Sequence, residues 1–188
     1  MAKTLDIAQL GDPILRSPTQ PVTDLQSPRL QTLIEDLIAT AALGNGVGIA
    51  APQVSRGDRL FIIASRPTLR YPQAPTMAPT PMINPEILGA SEALVQDWEG
   101  CLSVPGIRGL VLRHQWVEVE YCDRQGQRHQ QKLTDFVARI FQHELDHLNG
   151  IVFLDRVECS HALMSETEYQ NESLPGAKGA RSVLWPST

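Results

Sequence analysis

His143, Glu144 and His147 lie in the run FVARIFQHELDHLNG, Phe136 to Gly150, as two imidazoles and a carboxylate at a spacing that suits metal chemistry. At about 3.6 residues per turn, the two histidines of one helical segment fall one turn apart on the same face, close enough to grip a single ion. The H-E-x-x-H order has a mechanical reason: imidazole nitrogens hold a divalent cation, and the intervening Glu is placed to take a proton from water that the cation acidifies. Five residues also match by chance, and His143 and His147 would then be helix-surface residues beside solvated Glu144 and Asp146. Two features oppose that alternative. Phe136, Val137, Ile140, Phe141, Leu145 and Leu148 recur at roughly helical spacing on more than one side, which predicts a helix wrapped by other elements. Asn149-Gly150 supplies a stop directly after it. The charged cluster therefore points into the protein, where it needs partners.

A catalytic metal site usually takes three protein ligands and keeps one position open, so two histidines are one ligand short. The metzincin continuation H-x-x-G-x-x-H fits at Gly150 but fails at Phe153, which stands where the third His must be. Glu166 or Glu168 could supply a downstream carboxylate from a segment that reads as an exposed acidic helix, and the chain would then be a peptide-cleaving metalloprotease. Cys101, in EGCLSVPG, is the upstream candidate, flanked by glycines and a proline that favour a turn, although a free cysteine more often serves as a small buried apolar residue. Residue types alone leave this choice open.

The framework for these residues follows from bulk properties. With 188 residues, 42% hydrophobic and a formal charge of -5, the chain reads as one domain with a real core, residues 1–170. A loose tail rich in Pro, Gly, Ser and Lys follows at 171–188. No apolar run is long enough to span a membrane, and the start, MAKTLDIAQLGDP, lacks both the apolar core of a secretion signal and the Arg-rich character of a transit peptide. A cytoplasmic chain is expected. Mild acidity without a basic cluster argues against a nucleic-acid surface. Three cysteines, an odd number, speak against a disulfide framework and leave a thiolate ligand as a reasonable use for one of them.

Along the chain, Leu10 to Thr23 carries three prolines and predicts an extended surface arm. Leu30, Leu33, Ile34, Leu37, Ile38 and Ala41 mark an amphipathic helix that starts at Ser27-Pro28 and ends at Gly44-Asn45-Gly46. GVGIAAPQV, Gly46 to Val54, is unusual for a strand because small residues replace bulky ones. They would let something approach the backbone, although a loop needing positive φ would also account for the glycines. Gln53 is the one side chain there with a donor amide. RLFIIA, 59–64, reads as a buried strand, 67–81 as a proline-rich loop, and Met82-Ile83-Asn84 as a short strand that Pro85 limits or places at an edge. Asp97 to Gly109 reads as a turn rather than a regular element. VEVEYCD is a strand with Val117, Val119 and Tyr121 on one face, turning through Asp123 to Gly126 into QRHQQKLT. Cys122, Cys159, His114, His129 and His161 stand apart from these patterns and read as packing or surface residues.

Three stretches, GVGIAAPQV, EGCLS and QHELDH, in that order, resemble the signature of the peptide deformylases. LGDPILR and GIVFLDRV are similar to family members too, so the resemblance spans roughly residues 5 to 157, and more weakly to Tyr169. It implies an α+β fold with antiparallel or mixed β-sheets surrounding a central metal-binding α-helix, and removal of the formyl group from the N-terminal methionine of new polypeptides with release of formate. It implies Cys101, His143 and His147 as metal ligands and Glu144 as the group that takes and returns the proton. The side-chain amide of Gln53 and the backbone N–H of Leu102 are the implied oxyanion donors. A peptide would lie strand-like along Gly46, Val47 and Gly48, where a side chain at either glycine would obstruct it. Asp97, Trp98, Phe136, Arg139 and Ile140 would shape the rim and side-chain pocket. One divalent ion is implied, ferrous iron in the cell, while zinc, nickel or cobalt also suit a Cys and two His. The implied partners are N-formylmethionyl nascent peptides, with the ribosome as a candidate, and neither a membrane nor a direct nucleic-acid site.

Overall fold

Helix α1 (Pro28–Leu43) begins where the Ser27 hydroxyl accepts the Leu30 N–H and Pro28 fills a first-turn position, and it ends at Gly44. Its buried face, Leu30, Leu33, Ile34 and Leu37, packs on Ile49, Leu60, Ile62 and Ile83. Strand β2 (Leu60–Ile63) explains that contact. Its Leu60 and Ile62 face α1, while Phe61 and Ile63 join a second cluster with Ala138, Ile140, Phe141 and Leu148 of helix α2 (Asp135–Leu148). A strand covered by a helix on each face needs an unbroken apolar run, and LFII is one.

The computed structural model describes residues 2–68 and 71–173. Strands β1 (Gly48–Ala50), β2, β3 (Thr80–Ala90), β6 (Trp116–Cys122) and β7 (Arg128–Thr134) form a five-stranded sheet in the order β1-β2-β3-β6-β7. Strands β4 (Leu94–Cys101), β5 (Val104–His114) and β8 (Leu163–Ser165) form a second sheet in the order β4-β5-β8. All pairings within both sheets are antiparallel. Helix α2 packs on β1, β2, β6 and β7 of the first sheet and reaches β5 of the second. The Gln142 amide stitches it there, accepting from the His114 N–H at 3.0 Å and donating to the His114 carbonyl at 2.9 Å. Helix α3 (Glu166–Ser173) closes the described chain, and the rest of the tail expected at 171–188 lies outside the described residues. Among the described residues, no helix is long and apolar enough to cross a membrane.

Three expectations change. Asp97 to Gly109 is a β-hairpin rather than an isolated turn: β4 and β5 pair from Leu94↔His114 to Cys101↔Val104, with Leu102-Ser103 at the tip. Pairing across the hairpin outweighs the local preference of its glycines. Nor does Pro85 limit the strand at Met82. β3 runs on to Ala90 through a register shift between Ile83 and Glu86, and Asn84, at φ 51, turns its side chain to bond the N–H and the carbonyl of Val22, both at 2.8 Å. The N-terminal arm, finally, is more than surface cover. It makes a 3-10 turn at Pro13–Arg16 that buries Leu15, and Thr19 caps the end of α2 through two bonds to the Leu148 carbonyl. Upstream, Ala8 N–H donates to the Gln53 carbonyl and Leu10 N–H to the Ser103 carbonyl, both at 2.8 Å, so one strap fixes two segments of the cleft described next.

Candidate active site

Helix α2 carries His143 and His147 one turn apart, with ring centroids 5.1 Å from each other, and the tip of the β4–β5 hairpin brings Cys101 against them. Cys101 Sγ lies 3.2 Å from His147 Nε2. Among the described residues, the ligand atoms of Cys101, His143 and His147 gather within 4.8 Å of one another, and neither Glu166 nor Glu168 belongs to the group. His143 turns Nδ1 to Glu99 Oε2 at 2.8 Å, so Nε2 is the nitrogen it could offer to an ion. Burial works against a Cys101 thiolate, but His147 and His143 outweigh it and hold the thiol well below its ordinary value. A deprotonated sulfur beside two imidazoles is a donor set that suits a borderline divalent ion.

Glu144 is buried at the same place, and its Oε2 has no hydrogen-bond partner among the described residues. Burial pushes its carboxyl up to about 7, against the lowering pull of His143 and His147. A buried carboxylate oxygen left unpaired is costly, and it fits a site built to receive water and a reacting group. Gly48 is what gives the carboxylate room. A Cβ there would stand 2.3 Å from Glu144 Oε1 and 2.9 Å from Ile140 Cγ2. Neither Gly46 nor Gly48 has positive φ, so close approach rather than turn geometry accounts for the glycines of GVGIAAPQV. At Gly46, a Cβ would meet Leu102 Cδ1 at 3.1 Å.

Gln53 is held in one orientation. Its Oε1 accepts the Ala50 N–H at 2.8 Å, which leaves the amide nitrogen to donate to Ser103 Oγ at 3.2 Å and towards Cys101 Sγ at 3.3 Å. The 3-10 turn Ala51–Val54 presents this side chain, and the arm behind it fixes the backbone. Gln53, Leu102, Gly46, Val47, Gly48 and Ile140 line one cleft of ≈ 170 Å³ together with Cys101, His143 and Glu144. Phe136 and Arg139 also line it, whereas Asp97 and Trp98 do not: Asp97 belongs to a separate hollow and Trp98 packs against Tyr169.

Behind Cys101, His143 and His147 lies an ion network that residue spacing did not reveal. Glu99 accepts two bonds from Arg113, at 2.9 and 3.0 Å, one from Arg139 at 2.9 Å, and the His143 contact. Asp146 faces the other way, bonded to Arg113 and Arg156 at 2.6 Å each, so its charge serves the network rather than the cleft. Arg139, expected at the rim, is spent largely on Glu99 and the carbonyls of Val95 and Val111. No local pattern marks Arg113, because only the hairpin register sets it opposite β4. Burial would raise the Glu99 carboxyl, yet His143 and Arg113 hold it well below the carboxylate range. Its stabilisation is therefore complete above the ordinary value of 4.5 and is lost as pH falls through the lower folded value. Glu99→Gln is expected to cost on the order of 3 kcal/mol in urea unfolding at neutral pH, because the buried Arg139 guanidinium loses its counter-charge and Arg113 is left with Asp146 alone. A change under about 1 kcal/mol would show that the network is dispensable for the fold.

The family model described as polypeptide deformylase matches residues 4–162 of the chain. Peptide deformylase 2 of Nostoc sp. is 61% identical over 166 residues, covering 88% of this chain and 93% of that protein. Peptide deformylase 2 of Shewanella oneidensis is 47% identical over 154 residues, covering 82% and 84%. Among solved structures, a class I type b peptide deformylase from Acinetobacter baumannii with Met-Ala-Ser bound superposes with a TM-score of 0.81 at 46% identity, covering 84% of this chain and 100% of that one. A peptide deformylase from Synechococcus elongatus in complex with actinonin gives 0.75 at 34% identity, covering 100% and 93%.

Proposed function

The chain belongs to the polypeptide deformylase family, and from that premise we propose that its cleft hydrolyses the N-formyl group of the N-terminal methionine on new polypeptides, releasing formate. The observation that carries the reading is the meeting of Cys101, His143 and His147 beside the unpartnered oxygen of Glu144. Cys101 Sγ and one nitrogen of each histidine would hold a divalent ion on the central helix α2. When bound, such an ion acidifies water and polarises a carbonyl. Ferrous iron is the proposed ion in the cell, and zinc, nickel or cobalt suit the same donors. Metal analysis of anaerobically prepared protein tests this, and activity that survives with zinc but not iron would count against it.

Glu144 takes the proton that leaves the attacking water and passes it to the departing amine nitrogen, so one carboxylate serves as base and then acid. Gln53 offers the hydrogen that it directs towards Cys101, and Leu102 offers its N–H, to the oxygen that gains charge as the formyl carbon becomes tetrahedral. The carbon–nitrogen bond then breaks, giving formate and a free amino terminus. Gly48 begins β1, the edge strand of the five-stranded sheet, and an extended peptide can add to such an edge. Val47 and Gly46 continue that edge, and Ile140 borders the methionine side chain. Residues 1–170 act as one catalytic domain, with the rest of the tail outside the chemistry. Work in the cytoplasm on nascent chains, near the ribosome, follows from this substrate.

Formate release from formyl-Met-Ala-Ser by metal-loaded protein tests the whole reading, with an unblocked peptide as the comparison. Cleavage of the unblocked peptide without formate release would overturn it. Gly48→Ala is expected to fold and keep its metal but to lose roughly 10²-fold in kcat/KM, since the added methyl must push the Glu144 carboxylate aside. Near-parental kcat/KM would mean that Glu144 can move without cost.

A further inference from the structure

Arg108, on β5, lines the cleft, yet its side chain is 1% exposed. Glu166, at the start of α3, covers the guanidinium with both oxygens, Nε to Oε2 at 2.6 Å and Nη2 to Oε1 at 3.3 Å. Tyr71 hydroxyl accepts from Nη1 at 2.6 Å, and the rings of Tyr71 and Tyr169 lie 5.4 and 4.8 Å from the guanidinium carbon. Gly100, one residue before Cys101, has no side chain where a Cβ would meet that carbon at 2.8 Å. The carboxylate offered by sequence as a metal ligand thus has another task.

A cation in the wall of a cleft that receives peptides attracts carboxylates, whether an acidic side chain or a chain terminus. New polypeptides differ in charge beyond their methionine, and a bare Arg108 would sort them by it. We infer that Glu166 is a specificity-determining counter-ion: it supplies the charge that Arg108 needs and fills the edge a substrate carboxylate would take, so that the cleft accepts peptides without regard to charge downstream of the methionine. This rests on the deformylase reading. It assigns α3 to the cleft, since Arg108 also pairs with Met164 of β8 just before Glu166.

The test compares kcat/KM for formyl-Met-Ala-Ser with a free carboxylate and with a C-terminal amide, in the parent, Glu166→Ala and Glu166→Gln. In Glu166→Ala the acid-to-amide ratio is expected to rise about tenfold over the parent, carried by KM, which is the size of one charge-assisted hydrogen bond. The rise should shrink in high salt. A merely structural role lowers both substrates together and leaves the ratio unmoved, and scoring each preparation by its own ratio cancels any loss of folded protein. If Glu166→Ala does not fold, Glu166→Gln, which keeps the shape and removes the charge, takes its place. A rise of about fivefold or more supports the inference, and any smaller change overturns it. Failure of the parent to release formate from either peptide would instead sink the deformylase reading.

Discussion

Cys101→Ala should leave a protein that folds, binds its divalent ion more than about 100-fold more weakly than the parent, and releases almost no formate, since loss of even an outer partner of a metal site costs 10–100-fold. Only three ligand atoms gather at the site among the described residues, and removing the sulfur leaves two imidazoles. The thiolate is also the one anionic donor, so its loss takes away charge as well as a bond. Metal content after gel filtration measures this directly, alongside the rate. Full occupancy in the variant would show that the ion is held without Cys101 and would return the third ligand to an open question. Glu166 is poorly placed to answer it, because both of its oxygens bond the Arg108 guanidinium.

The helix with the two histidines was legible because its signal is local: periodic apolar residues, an i, i+4 pair and an Asn-Gly stop all lie within FVARIFQHELDHLNG. The role of the glycines was only half legible. Gly46 and Gly48 announced a close approach, but what comes close to Gly48 is Glu144, nearly one hundred residues later, in addition to any substrate. Glycines surround Cys101 and favour a turn there, and no local feature says that Asp97 to Glu99 will pair with Gly109 to Val111. Glu99 and Arg113 were invisible for the same reason. Their meeting depends on hairpin register, and their pairing with Arg139 and Asp146 depends on how α2 is laid across the second sheet. Pro85 misled because a proline limits a strand only where its N–H is needed, and the bulge at Asn84 removes that need.

Glu144→Gln is the sharpest test of the chemistry, and the expected outcome is a protein with parental fold and metal content that has lost about 10²–10⁴-fold in kcat, the range for a general acid–base group. Gln has nearly the same shape and still hydrogen-bonds water, yet it cannot accept the proton that must leave water as the formyl carbon is attacked. The surroundings favour this substitution as a clean probe. Glu144 Oε2 has no partner among the described residues, and the carboxyl sits near 7 through burial, so the native structure spends no ion pair on it. A neutral amide should therefore be tolerated in the fold, and any unfolding measured in the variant should be small. If metal content fell with the rate, Glu144 would be a ligand or its support rather than the proton carrier. If kcat stayed within a fewfold of the parent, the proton would have to travel elsewhere. Asp146 is excluded from that role by its bonds to Arg113 and Arg156 on the far side of the helix. Cys101, His143 and His147 would be committed to the ion, so the reaction would need water alone as its base.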